Sequence, residues 1–394
     1  MGVADPELDY RLIRKFTVPE VICGEGSRLL AGDYCRNLGL KRVLLVSDRG
    51  VLSAGWADEI RAKLESREVA SVSFFDVTEN PKDREVAAGA ELYRESECEA
   101  LVAVGGGSVI DCAKGIGVVV TNHGPIGEFE GIDRIRRAMP PLVCIPTTAG
   151  SSADVSQFAI INDTSRKLKF AVISKALVPD VSLLDPTPLT TMNRELTTAT
   201  GMDALSHAFE AFVSNGSSFL TDELALKAVE RLGSSLREAV WNPTKLSART
   251  ETMEGSMVAG FAFSNASLGA VHALAHAIGG LAGIPHGICN AVLLKQVARV
   301  NYPSAREKYD RLSLVLRESL ALPPKGSDEA LEGLLEALDI LAADCGLELS
   351  LFQRGLEESA IPEMAANAAA DPCMLTNPRQ LDLRDLEEII RHAG

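Results

Sequence analysis

Hydrophobic and polar positions divide the chain into two textures. Over the first 185 residues, short and nearly continuous apolar runs recur at 42–47 (R-V-L-L-V-S), 71–77 (S-V-S-F-F-D-V), 100–104 (A-L-V-A-V) and 142–146 (L-V-C-I-P). Such runs suit strands of a parallel sheet covered on both faces, where neither side chain row meets water. Between them lie segments with helical spacing at 51–65, 83–95 and 108–120. This is the βαβ rhythm of a doubly wound fold. Further strands are expected at 157–161, 170–174 and 181–184. After Asp185-Pro186-Thr187-Pro188 the pattern becomes helical and rich in Ala, Leu and Glu, with no strand signal through Gly394. The expected fold is an α/β N-terminal doubly wound (Rossmann-like) domain over 1–188, then an all-α C-terminal domain over 189–394.

One stretch tests that reading. Residues 255–294 contain no Asp, Glu, Lys or Arg, long enough to pass as a membrane span. Gly279-Gly280, Gly283 and Pro285 interrupt it, however, and it holds His272, His276, His286, Asn265 and Asn290. A buried helix pair at the heart of a domain is expected instead.

Composition narrows the class of partner. An apolar fraction of 46% and a charged fraction of 24% are those of an ordinary globular protein. A net charge of -15 without any basic run argues against nucleic acid. The eight cysteines show no C-x-x-C pair and read as reduced thiols of a cytoplasmic protein. The opening M-G-V-A-D-P-E-L-D-Y-R has no apolar core of the signal-peptide kind.

The chemistry concentrates in a few side chains. Asp203 and His207 stand four apart in G-M-D-A-L-S-H-A-F-E, and residues so spaced share one helix face. His272 and His286 lie in G-A-V-H-A-L-A-H-A-I-G-G-L-A-G-I-P-H-G. One carboxylate and three imidazoles make a divalent-metal ligand set. His276, one turn beyond His272, is the candidate for relaying a proton; its alternative role is to orient a ligand by hydrogen bonding. Gly105-Gly106-Gly107-Ser108 follows a predicted strand and opens a helix, so its backbone N–H groups can approach a pyrophosphate. Asp48 ends the strand at 42–47, where a carboxylate binds ribose hydroxyls and repels a 2'-phosphate, favouring NAD over NADP. It is equally suited to capping the next helix. Thr147-Thr148-Ala149-Gly150-Ser151-Ser152 is a hydroxyl-rich turn suited to phosphate or ribose contacts, or to local backbone bonding.

These motifs together resemble the iron-containing, or group III, alcohol dehydrogenases. The likeness rests on Gly105-Gly106-Gly107-Ser108 with Asp111 and Lys114, Pro146-Thr147-Thr148-Ala149-Gly150, Gly201-Met202-Asp203-Ala204 with His207 and Glu210, His272 to Gly287, and Thr376-Asn377-Pro378-Arg379. The resemblance implies a metal site in the cleft between the two domains, with Fe2+ bound and Zn2+ as a substitute. Asp203, His207, His272 and His286 match the metal ligands, and His276 matches a histidine beside the reaction centre. Asp48, Asn80, Gly106, Gly107, Ser108, Thr147, Thr148, Ser151 and Lys169 match positions lining NAD. A homodimer or larger assembly is implied as well. The chain departs from the family's pattern at Gly150-Ser151-Ser152-Ala153-Asp154 and at Ala277, neither of which touches a ligand position.

The expected reaction is hydride transfer between NAD and a small uncharged primary alcohol or its aldehyde, with the metal polarising the substrate oxygen. Dehydroquinate-synthase-like or glycerol-phosphate-dehydrogenase-like enzymes share NAD and metal, but a phosphorylated substrate calls for Lys and Arg at the metal. Residues 196–220 and 255–294 contain neither. A non-catalytic regulator that binds NAD and metal is the third reading, and turnover separates it from the others.

Overall fold

The computed structural model describes residues 14–166, 168–348 and 350–393. Among the described residues its N-terminal half contains nine strands: β1 (Glu20–Cys23), β2 (Arg42–Asp48), β3 (Ala70–Val77), β4 (Ala100–Gly105), β5 (Gly131–Ile132), β6 (Leu142–Pro146), β7 (Phe158–Asp163), β8 (Leu168–Ile173) and β9 (Val181–Leu184). Six of them form a parallel sheet in the order β1-β9-β6-β4-β2-β3. Helices α1 (Ala31–Asn37), α2 (Arg49–Ser53), α3 (Trp56–Glu65), α4 (Asp83–Glu95) and α5 (Gly107–Asn122) cover it. Side chains alternate across a strand, so Val43 and Leu45 enter one apolar layer with Ile60 and Leu64 while Leu44 and Val46 enter the other with Val86 and Ile116. Each such buried aliphatic stabilises the fold by about 1.5–3 kcal/mol. The buried polar exceptions are hydrogen-bonded, Ser47 Oγ donating to the Val104 carbonyl at 2.6 Å and Ser182 Oγ to Asp154 Oδ2 at 2.7 Å.

The strand order locates a candidate ligand crevice. From β2 the chain crosses to β3 on one side, whereas from β4 it crosses to β6 on the other. The carboxyl ends of β2 and β4 therefore flank the point where the winding reverses, the place where open α/β sheets bind ligands.

Several details differ from the sequence expectation. The strands expected at 157–161 and 170–174 are β7 and β8, but they pair antiparallel and join β5 in a separate three-stranded sheet. The helix expected over 51–65 is two, α2 and α3, broken where Gly55 takes φ 86°. Strands β1 and β5 have no counterpart in the sequence pattern, because four residues with exposed ends and a two-residue strand carry too little periodicity to read.

The second half is helical: α6 (Arg194–Val213), α7 (Phe219–Trp241), α8 (Leu246–Ala266), α9 (Ala270–Ala282), α10 (His286–Asn301), α11 (Arg306–Ser319), α12 (Ala330–Asp344), α13 (Ile361–Ala369) and α14 (Leu383–Arg391). Asn193 starts α6 by accepting from the Leu196 N–H at 2.8 Å, and Ser218 and Thr221 cap α7 reciprocally. The uncharged stretch 255–294 spans the end of α8, all of α9 and the start of α10, three helices rather than a pair. Left-handed residues Ser267 (φ 64°) and Gly283 (φ 69°) separate them. Among the described residues no single helix is long and apolar enough to cross a membrane. Helices α8 and α9 pass that test only as a pair bent by 101°, and both contribute to the apolar core.

Candidate metal centre and cofactor crevice

Helix α6 brings Asp203 and His207 to one face, α9 supplies His272, and His286 is the first residue of α10, directly after Pro285. Close helix packing makes this convergence feasible. A Cβ on Gly287 would lie 2.2 Å from the carbonyl oxygen of Ala199, so only glycine lets α10 start against α6.

All three imidazoles turn Nε2 toward Asp203 Oδ1: His272 at 3.5 Å, His286 at 3.7 Å and His207 at 3.9 Å. Asp203, His207 and His272 form the tightest set, with donor atoms all within 4.8 Å of one another, and His286 adjoins it. Donors about 2.1 Å from one tetrahedral ion stand ~3.4 Å apart, so the spacing suits a shared cation. Asn290 lies among these donors, its Nδ2 2.6 Å from Asp203 Oδ1 and 3.1 Å from Nε2 of both His272 and His286. Asn290 Oδ1 and His286 Nδ1 are buried without a hydrogen-bond partner among the described residues. A buried carboxylate and inward-facing imidazole lone pairs are costly unless a cation is shared among them. The donor set therefore fits a divalent metal of the iron or zinc type.

Electrostatics point the same way. Burial opposes the charge on Asp203, yet His207, His286 and His272 together hold its carboxyl well below the usual range. Burial, with His272 nearby, pushes His207 down to about 3, and burial likewise lowers His286. His272 runs opposite: burial disfavours its charge, but the Asp203 and Glu210 carboxylates, which accept from the ring, raise it to about 9. Asp203 thus stays ionised, a fixed negative charge among the imidazoles that a divalent cation would balance.

Glu210, which lies one turn beyond His207 on α6, makes the orientation of His272 definite. Its carboxylate accepts from His272 Nδ1 at 2.6 Å, from the Val271 N–H at 2.7 Å and from the His272 N–H at 3.3 Å. It thereby satisfies free donors in the first turn of α9 and fixes the ring tautomer, leaving the Nε2 lone pair for the metal. The C-terminal segment holds the same helix end. Asn377 Oδ1 accepts from the Ala270 N–H at 3.1 Å, and Thr376 Oγ1 donates to the Leu268 carbonyl at 2.6 Å. In sequence Glu210 and Asn377 stand only within motifs, Asn290 only as a polar residue of the uncharged stretch, and Asp371 carries no signal. Glu210 had a usable signal, since a carboxylate three residues past a ligand on an apolar helix needs a partner.

His276 stands beside the cluster, its ring stacked on His286 at 5.2 Å between centroids and 10° between planes. Its Nδ1 lies 2.8 Å from Asp371 Oδ2. On the far side of the cluster His207 stacks between His272 (4.4 Å) and Phe263 (4.2 Å), and Phe158 packs on Phe263 at 5.7 Å. These rings form an apolar wall.

The residues matched to NAD contacts gather at the reversal point. A Cβ on Gly107 would lie 2.5 Å from Ser151 Oγ, and one on Gly106 would lie 3.2 Å from Thr148. The Gly-rich loop and the hydroxyl-rich turn thus line one narrow space. The Thr147 N–H donates to the Gly105 carbonyl at 3.0 Å. The Asn80 N–H donates to Ser108 Oγ at 3.2 Å, and Lys169 Nζ donates to Asn80 Oδ1 at 2.6 Å. Asp48 lies across the crevice at the end of β2 and caps α2, accepting from the Val51 N–H at 2.9 Å. Lys169 Nζ would also lie 3.7 Å from a Cβ on Gly279, one turn beyond His276. Crevice and metal cluster are therefore contiguous.

Comparison with known proteins agrees with this geometry. The family described as iron-containing alcohol dehydrogenase matches residues 19–186, and the Fe-containing alcohol dehydrogenase family C-terminal region matches residues 197–394. The chain is 37% identical over 389 residues to 1,3-propanediol dehydrogenase of Citrobacter freundii, covering 98% of this chain and all of that one. It is 33% identical over 378 residues to the NAD-dependent methanol dehydrogenase of Bacillus methanolicus, covering 96% and 99%. A solved 1,3-propanediol oxidoreductase superposes with a TM-score of 0.93 at 36% identity, covering 97% of this chain and 100% of that one. A chain with this fold, this cluster and this full-length likeness is an oxidoreductase that belongs to the iron-containing alcohol dehydrogenase family.

Proposed function

We propose that the protein is an NAD-dependent, Fe2+-dependent dehydrogenase interconverting a small uncharged primary alcohol and its aldehyde. The observation that carries this reading is the convergence of three imidazole Nε2 atoms on Asp203 Oδ1 at 3.5–3.9 Å. In it Asp203, His207, His272 and His286 hold the metal; Zn2+ is a substitute, since it ranks above Fe2+ in affinity for such donors. Residues 1–188 bind the dinucleotide and residues 189–394 carry the metal.

When bound, the metal would supply Lewis acidity toward the substrate oxygen and the dinucleotide would supply the hydride acceptor or donor. The chain's own residues do the rest. Gly106, Gly107 and Ser108 present the first turn of α5 to the pyrophosphate, with Thr147, Thr148 and Ser151 closing the opposite wall. Asp48 selects NAD by accepting from the ribose, with Asn80 and Lys169 completing the lining. Phe158 and Phe263 exclude water beside the metal cluster. His276 takes the hydroxyl proton during oxidation and returns it during aldehyde reduction.

An uncharged substrate is favoured by what surrounds the site. Lys169, a half-buried cation against α9, is committed to Asn80, and α9 carries no Lys or Arg. A phosphorylated substrate would lack partners there. Eight unpaired thiols support a cytoplasmic setting, and assembly as a homodimer rests on the family resemblance. The test is an anaerobic screen of NADH oxidation by Fe(II)-reconstituted protein, with short aldehydes, hydroxyaldehydes, 2-oxo acids and phosphorylated analogues assayed side by side. Preference for neutral aldehydes is expected; preference for the anions overturns the reading.

A further inference from the structure

We propose that Asp371 is a positioning residue that fixes His276 in the Nδ1–H tautomer, so that Nε2 is the atom offered to the reaction. This deepens, and rests on, the reading of His276 as proton relay.

The geometry is specific. Asp371 is the N-cap of the short 3-10 helix Pro372–Thr376, and its Oδ1 accepts from the Cys373 N–H at 2.8 Å. Its other oxygen, Oδ2, lies 2.8 Å from His276 Nδ1. One oxygen is thus pinned by the backbone while the second addresses the ring. Pro372 restricts the turn that follows. An ionised carboxylate only accepts hydrogen bonds, so the proton between Asp371 and His276 belongs to Nδ1. The opposite tautomer would set a ring lone pair against a carboxylate. Burial alone would raise the Asp371 carboxyl, but His276 and the Cys373 N–H hold it down at about 2, so it is ionised at neutral pH. Nε2 has no hydrogen-bond partner among the described residues, and the ring lies flat against His286 beside the metal cluster.

During oxidation the hydroxyl O–H bond breaks and its proton passes to Nε2, while hydride leaves the adjacent carbon for the nicotinamide. The alcohol becomes the aldehyde and NAD becomes NADH. The resulting imidazolium donates Nδ1–H to Asp371 throughout and later releases the Nε2 proton to water. A ring locked with its proton on Nε2 could not accept another there.

Asp371→Asn inverts the tautomer by construction. The Cys373 N–H needs an acceptor, so the amide oxygen takes the place of Oδ1 and the amide NH2 faces His276 Nδ1. Four Zn2+-loaded proteins decide the matter: wild type, Asp371→Asn, His276→Ala and the double variant. Steady-state kinetics, metal content and 15N chemical shifts of the histidine rings are measured on each, the His276 signals being those missing from His276→Ala. Wild type is expected to show Nδ1–H and a bare Nε2, with the pattern reversed in Asp371→Asn. Asp371→Asn should lose kcat by about 100-fold or more, keeping its metal and the KM for NAD. The double variant should be no slower than His276→Ala, because a residue acting only through His276 adds nothing once the ring is gone.

A wild-type ring protonated on Nε2 overturns the inference, even if the variant fails to fold. So does an Asp371→Asn enzyme within threefold of wild type while His276→Ala is impaired, or a double variant much slower than His276→Ala. Full activity in His276→Ala instead removes the relay reading, and the 15N shifts then still decide whether Asp371 sets the tautomer.

Discussion

At the scale of single residues, the candidate metal site is an arrangement of acceptors with their donors held elsewhere. Glu210 accepts from His272 Nδ1–H at 2.6 Å and so leaves the Nε2 lone pair facing the Asp203 cluster. Glu210→Gln keeps the size of the side chain but weakens that hold. Metal affinity, measured by competition with a chromogenic chelator, should fall about 10-fold to 100-fold, as is typical when a ligand's hydrogen-bond partner is lost. His272→Ala removes a donor outright and should purify with little metal by elemental analysis; equal content in the two proteins would remove His272 from the ligand set. His276→Ala should keep its metal and lose rate by about 100-fold to 10,000-fold. The contrast between the last two separates ligand from relay, although the residues lie one turn apart on α9.

At the scale of elements, function depends on how closely backbones approach. The start of α5 lies so near the turn carrying Ser151 that any side chain at Gly107 must displace it. Gly107→Val should raise KM for the dinucleotide at least tenfold, as the loop loses its fit to the pyrophosphate, with metal content unchanged. A KM within twofold of wild type would show that the loop does not hold phosphate. Asp48 poses a sharper question because it already caps α2 through the Val51 N–H. Asp48→Gly should shift the ratio of kcat/KM values toward NADPH while costing only a few tenths of a kcal/mol in helix capping. An unchanged ratio would leave the carboxylate a cap alone.

At the scale of the whole molecule, the last strand of the sheet is tied to the N-terminal segment through Asp185. Its buried carboxylate accepts from the Gly26 N–H at 2.8 Å, from Arg28 Nη1 at 2.5 Å and from the Thr187 N–H at 2.9 Å. Burial would raise this carboxyl, but Thr187 and Arg28 lower it below its ordinary value. A carboxyl lowered on folding stabilises the protein above its unfolded pKa of about 3.9, and that stability is lost as pH falls further. Asp185→Asn should therefore cost about 2–3 kcal/mol at pH 7, the worth of hydrogen bonds to a charged group. The difference from wild type should shrink below pH 4. Guanidinium unfolding midpoints at pH 7 and pH 3 measure it; an equal gap at both would mean that the carboxylate's charge contributes nothing.

The sequence by itself determined those features that depend on local repetition. β2, β4 and β6 are fully apolar over most of their length because both faces of a central parallel strand are covered, and such runs read directly. Asp203 and His207 share a helix face by spacing alone, and the Gly-rich loop announces a strand-to-helix turn. Tertiary structure decided what depends on contacts distant in sequence. The hairpin of β7 and β8 leaves the main sheet although its apolar runs resemble the others, since a strand's pattern does not say which edge it will meet. The pairings of Glu210 with His272, of Asn290 with Asp203 and of Asp371 with His276 span 62, 87 and 95 residues. No periodicity encodes them. They exist because α6, α9, α10 and the C-terminal turn pack around one buried point, where each polar group must find a partner or remain unsatisfied.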